Sequence, residues 1–119
     1  LTLFPKKPSK QRIAELIKSM GLPFAYDHFA EGESPAPPFI CYLTPGSDNF
    51  AADGRAYYKI NIVNIELYTD TKDPSVEQKV ESVLDANGIF YDKTEVWIES
   101  EKLYEVLYQF ELEVNNNGE

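Results

Sequence analysis

The chain has 119 residues, 43% hydrophobic and 26% charged, the profile of one folded domain rather than of a disordered or fibrous polymer. Eleven Lys and Arg against twenty Asp and Glu leave a net charge of −9. That excludes a general nucleic-acid binder, which needs positive charge to release phosphate counterions. No apolar run approaches the ~20 residues of a membrane helix, and one cysteine, Cys41, cannot form an intramolecular disulfide.

The opening LTLFPKKPS has neither a secretory apolar core nor a small-residue cleavage site, so no signal peptide and a cytosolic location are expected. One domain should span 1–119, with 1–8 and 115–119 as flexible ends.

Ser9 is a good N-cap, and Ile13, Leu16, Ile17 and Met20 recur behind it at helical spacing. Gly21 and Pro23 stop the run, so the first helix is predicted over Lys10–Met20. Phe24–Phe29 reads as a short extended segment, and the proline-rich Glu31–Pro38 as a loop. Phe39–Leu43 is a β-prone apolar run. Thr44–Arg55, rich in Gly, Asp and Asn without a sustained period, reads as a long loop.

Tyr57–Thr69 is the longest β segment of the middle third, and its apolar phase changes near Ile62-Val63. Either a bulge lies there or the strand is buried on both sides. A second helix follows, capped by Asp73 with Pro74 at N1, striped by Val76, Val80, Val83 and Leu84, and stopped by Gly88. The last third is a hairpin. Ile89–Ile98 is one arm, Glu99-Ser100-Glu101 the turn, and Lys102–Val114 the other arm, whose alternation is the cleanest strand signal in the chain.

The predicted fold class is α+β, in the order α-β-β-β-α-β-β. The sheet should be mainly antiparallel, with four to five strands and both helices packed on one face. Two short helices cannot cover both faces. The hairpin's other face is expected to carry Trp97, Leu103 and Leu107 among Glu95, Glu99 and Glu105, a partner surface with a Trp anchor; a loop or the N-terminal segment folding over it, or a Trp97 that is simply half-exposed, is the plainer alternative. Charge is also segregated. Residues 1–23 hold five bases and one acid, and residues 92–119 two bases and eight acids. A basic first helix and an acidic hairpin could therefore meet head-to-tail between copies; a solvated surface carrying both signs is the plainer alternative.

No catalytic, cofactor or metal motif is found. His28, the only histidine, has no companion nucleophile in a recognisable spacing. Cys41, inside FICYL, reads as a small buried hydrophobe, and one Cys with one His cannot complete a structural zinc site. Gly46–Gly54 resembles a calcium loop in composition but places Phe50 and Ala52 where oxygen ligands should stand. The acid pairs Glu99/Glu101 and Asp70/Asp73 read as a turn and a helix cap rather than a catalytic dyad.

Several blocks carry a family resemblance: GLPFAYDHF (Gly21–Phe29), PPFICYL (Pro37–Leu43), GSDNFAADGRAYYK (Gly46–Lys59), IELYTDTKDP (Ile65–Pro74) and GIFYDKTEVWIESEKLYEVLYQFEL (Gly88–Leu112). Together they resemble the tail-terminator, or head–tail joining, proteins of tailed bacteriophages and prophages of Gram-positive bacteria. The resemblance implies a non-enzymatic virion assembly protein, made in the host bacterial cytoplasm. It would form a ring, commonly a hexamer, at the head-proximal end of the tail. Its implied partners are copies of itself, the tail-tube protein and the head-completion or connector protein, while DNA passes through unread. Interface residues are expected at Trp97, Leu103, Leu107, Glu95 and Glu105, and at Ser47, Asp48, Asn49, Phe50 and Arg55 of a loop projecting toward a neighbour or the lumen. Two other readings compete: an acidic inhibitor that mimics nucleic acid through Glu105, Gln109, Glu111 and Glu113, and a small enzyme built around His28 and Asp27.

Overall fold

A computed structural model describes residues 9–47, 50–52, 56–58 and 60–113, with the backbone alone described for Ser9 and for the two three-residue stretches. The expected flexible ends, 1–8 and 115–119, lie outside these residues.

Helix α1 (Ser9–Lys18) buries Ile13 and Ile17 one turn apart, and Met20 joins them from the turn that follows. That turn tightens, with Met20 N–H donating to Ile17 O and Gly21 N–H to Lys18 O, and Gly21 takes the left-handed φ of 77°. The chain enters β1 (Phe24–Tyr26) and leaves it at Asp27, whose φ is 64°. It then crosses to β2 (Phe39–Ser47), which lies parallel to β1 with Phe24 beside Ile40. A parallel neighbour needs such a long connection, so β1–β2 is the exception in an otherwise antiparallel sheet.

The predicted loop over Thr44–Arg55 is corrected by the structure. Strand β2 continues to Ser47, and β3 (Phe50–Ala52) pairs with β4 (Ala56–Tyr58) as a separate two-stranded ribbon. Pairing of β2 with β5 (Ile60–Thr69) runs from Phe39↔Tyr68 to Leu43↔Asn64 and resumes at Gly46↔Ile62. One extra residue on β2 makes a bulge, and Pro45, which has no N–H to give a ladder, sits inside it. The bulge hides the strand period from the sequence.

The predicted strand over Tyr57–Thr69 is therefore two elements, β4 and β5. Strand β5 pairs without interruption with β7 (Leu103–Glu113), from Ile60↔Glu113 to Thr69↔Tyr104. Its phase change follows from its central place: Val63, Ile65 and Leu67 are fully buried on one face, while Ile60 and Ile62 are half-buried on the other. The bulge lies across the ladder, in β2.

Helix α2 (Pro74–Ala86) begins with the Asp73 carboxylate accepting from Val76 N–H and Ser75 Oγ–H. It ends in a Schellman motif, Ile89 N–H to Leu84 O and Gly88 N–H to Asp85 O, with Gly88 at φ 66°. Strand β6 (Asp92–Ile98) and β7 form the closing hairpin. The five-stranded sheet has the order β1-β2-β5-β7-β6. Ile13 and Ile17 of α1 and Val80 and Leu84 of α2 join Ile40, Val63, Ile65, Leu67, Val106 and Tyr108 in one core. Both helices thus lie on one face, as the apolar pattern predicts.

Candidate assembly interface

Strand side chains alternate between faces, so the pairing register assigns each residue to a side. Ile40, Leu67, Val106 and Glu95 stand opposite one another on the helix-bearing face. Phe39, Tyr68, Glu105 and Val96 form the next row, on the open face. Part of that open face is covered from within the chain. Phe29, on the β1–β2 connection, sets its ring edge-on to Phe39 at 5.4 Å, and Phe39 stacks on Tyr68 at 5.2 Å. Phe39 and Cys41 are buried beneath this cover, and the Cys41 thiol is pushed up to about 11, by burial first and then by Glu66, Asp27 and Glu105. The remainder, toward β7 and β6, stays half-open: Leu103, Glu105 and Leu107 are only partly buried, and Thr94 and Val96 are exposed.

At the border of the cover, Tyr68 Oη lies 3.0 Å from Glu66 Oε1 and 2.7 Å from Glu105 Oε2. A phenol has one proton and donates to one carboxylate at a time. Burial raises the Glu66 carboxyl, the Tyr68 hydrogen bond opposes that rise, and the charges of Glu105 and Asp27 add to it. Among the described residues no cation pairs with Glu66 or Glu105.

The register separates the predicted interface residues. Leu103, Leu107 and Glu105 share the open face, as expected. Trp97 and Glu95 do not join them: Trp97 faces Tyr104 and Glu95 faces Val106, on the helix-bearing side. The expected single face combined the two arms one residue out of phase, and in strands a one-residue slip reverses every side chain. Trp97 sits at the rim of the sheet, its ring 4.7 Å from Tyr104 and its Nε1–H donating to Glu99 at 3.0 Å. It is exposed on β6, the edge strand.

Glu95 belongs to a charged network that the sequence reading missed. Buried Glu77 of α2 accepts from Lys72 at 2.7 Å and from Lys93 at 2.8 Å. Lys72 also pairs with Glu95, and Lys93 with Glu81 at 2.6 Å. Glu81 accepts in turn from the Tyr108 hydroxyl at 2.8 Å, and Lys93 lies over the Tyr108 ring. Burial would raise the Glu77 carboxyl, but the Lys72 and Lys93 hydrogen bonds outweigh it and lower it. The available signal was spacing: Glu77 and Glu81 continue the α2 stripe of Val80 and Leu84.

Of the other expected contacts, Ser47 ends β2 opposite Asn61, and Phe50 opens β3 opposite Tyr58. Asp48, Asn49 and Arg55 lie outside the described residues, as does the side chain of Phe50. His28 is exposed after β1, with Nδ1 2.9 Å from Asp27 Oδ2. A cleft of about 580 Å³ opens where β6 begins, bounded by Arg12, Leu16, Phe90, Asp92 and Phe110, and among the described residues no histidine, cysteine, serine or lysine lines it. Among the described residues no three His, Cys, Asp or Glu side chains converge as a metal site requires. Odd positions of β7 put Glu105, Glu111 and Glu113 on one face, but Leu107 and Gln109 interrupt the row. A phosphate mimic would need that row continuous.

No protein-family model matches the chain, and no curated protein matches it. Solved structures share its fold. A chain of the structure titled "Virion of native gene transfer agent (GTA) particle" superposes with a TM-score of 0.60 at 16% identity, over 92% of each chain. At that identity the likeness is one of fold. It spans nearly all of both chains, so the whole α+β arrangement is shared rather than one supersecondary unit.

Proposed function

We propose that this chain is a non-enzymatic virion assembly protein, a tail terminator or head–tail joining protein that forms a ring at the head-proximal end of a phage tail. The observation that carries the reading is the fold shared, over 92% of both chains, with a component of a gene transfer agent virion. The sequence blocks Gly21–Phe29 through Gly88–Leu112 resemble tail-terminator, or head–tail joining, proteins.

The protein acts by shape and charge. Its helix-bearing face is closed by its own core and its Lys/Glu network. Leu103, Leu107 and Glu105 on the open face, with Trp97 at the β6 edge, form the contact surface toward copies and neighbouring tail and head proteins. The β3–β4 ribbon, with Ser47 and Phe50 at its base, reaches toward a neighbour. A net charge of −9 repels DNA phosphate and keeps a DNA conduit from sticking. Copies arranged by a closing rotation make a ring rather than a filament.

Electron microscopy of tails made without this protein tests the reading. Overlong tubes identify a terminator, and tails of normal length that carry no heads identify a joining protein. Normal, head-bearing particles would refute both.

A further inference from the structure

Four large apolar side chains stand exposed among the described residues: Tyr26 (54%), Phe90 (89%), Val96 (51%) and Trp97 (42%). All four lie along the two edges of the five-stranded sheet. Tyr26 is on β1, Val96 and Trp97 are on β6, and Phe90 leads into β6. Scattered single apolar residues are ordinary, but their confinement to two strand edges is not.

The β6 edge also lacks the usual protection. Edge strands are commonly guarded by charged side chains that discourage further pairing. The two charges in the middle of β6, Lys93 and Glu95, are drawn inward to Glu77, Glu81 and Lys72. Past them the strand reads Val96-Trp97-Ile98, with no strand beyond it among the described residues. On the opposite edge β1 is three residues long, and β2 outruns it from Leu43 to Ser47. There the Tyr26 hydroxyl accepts from Thr44 N–H at 3.4 Å.

The two edges differ in charge. Lys10 stands beside Tyr26 and Tyr42 at the β1 edge. The hairpin 92–113 carries seven carboxylates against Lys93 and Lys102. Symmetric pairing of β6 with β6 of a second copy would bring two acidic hairpins together and leave the β1 edge bare. Pairing of opposite edges brings unlike charges together.

We propose that the β6 edge of one copy pairs with the β1 edge of the next, so that their sheets run on into one another. The partner is a second copy of this chain, and the inference rests on the ring reading above. Within one sheet β1 and β6 point in opposite directions. Copies related by rotation about one ring axis keep their strand directions, so the junction is antiparallel. Trp97 and Tyr26 become the aromatic anchors of this contact.

Cysteines at Val96 and Ala25, which lie on the same open face, test it with a short bis-maleimide on the purified protein at high concentration. Buried Cys41, its thiol pushed up to about 11, serves as the unreactive background. The Val96→Cys/Ala25→Cys double variant is expected to give a ladder of dimer, trimer and larger species, and each single variant only monomer. Val96→Lys, with an unchanged circular dichroism spectrum, is expected to abolish association, and 0.5 M salt to weaken it. Dimers from Val96→Cys alone would show symmetric β6 pairing and overturn the proposal. Rings seen by light scattering without a ladder would overturn the edge junction yet leave the ring standing. A protein monomeric throughout, in solution and on tails, would overturn both.

Discussion

On the helix-bearing face of the sheet, carboxylates meet cations: Glu77 has Lys72 and Lys93, Glu81 has Lys93, and Glu95 has Lys72. On the open face, Glu66 and Glu105 meet one phenol and no described cation. The aliphatic residues divide the same way, Leu67 fully buried and Leu107, on the neighbouring strand, only half-buried. One side is completed within the chain. The other is left with two carboxylates that no described cation neutralises and with part-covered leucines.

The largest expected contrast comes from truncating one leucine on each face. Leu67→Ala empties a fully enclosed site in the central strand and should cost about 3–4 kcal/mol. Leu107→Ala removes a side chain already partly in water and should cost the monomer about 1 kcal/mol. Urea denaturation at low protein concentration reads both. If association buries the open face, the Leu107 variant should lose more at high concentration, and equal losses at both concentrations would erase the distinction between the faces.

Glu77→Gln comes next. It keeps the size of the side chain but leaves Lys72 and Lys93 without their shared anion. The expected loss is about 2–3 kcal/mol, below that of a fully buried pair because both lysines still reach water. The Glu77 carboxyl is lowered in the native state, so its contribution is complete above the unfolded value of about 4.3 and disappears as pH falls through the native one. Wild type and variant should therefore converge in acid. A constant gap across pH would mean that packing, not charge, carries the effect.

These contrasts also explain what the sequence could and could not reveal. Both helices, their stops at Gly21 and Gly88 and the β7 alternation were legible because each rests on local chemistry: caps, positive φ and a period of two. Strand register is not local. The phase between β6 and β7 is set by the turn through Lys102, whose φ of 55° no periodicity announces, and so Trp97 and Glu95 fell on the wrong face. The bulge at Thr44-Pro45 likewise broke the period of β2 and made a paired strand resemble a loop. Leu103, Leu107 and Glu105 were placed together correctly because they belong to one strand, where alternation alone decides.

The smallest expected effect is the most informative about the open face. Glu66 and Glu105 are diagonal neighbours across β5 and β7, and the Tyr68 proton satisfies one of them at a time. Because the Glu66 carboxyl is raised, by burial first and then by Glu105 and Asp27 against the Tyr68 bond, the native state holds a proton that the unfolded chain releases. Stability from this group therefore falls as pH rises from about 4.3 to the native value. Glu66→Gln removes that penalty and keeps an acceptor for Tyr68. It should stabilise the monomer by up to about 1 kcal/mol at pH 7 and change little below pH ~4. Thermal melts at the two pH values measure this directly. A loss of stability at pH 7 would show that the carboxylate itself holds Tyr68 in place, and that this face, like the other, is completed without a partner.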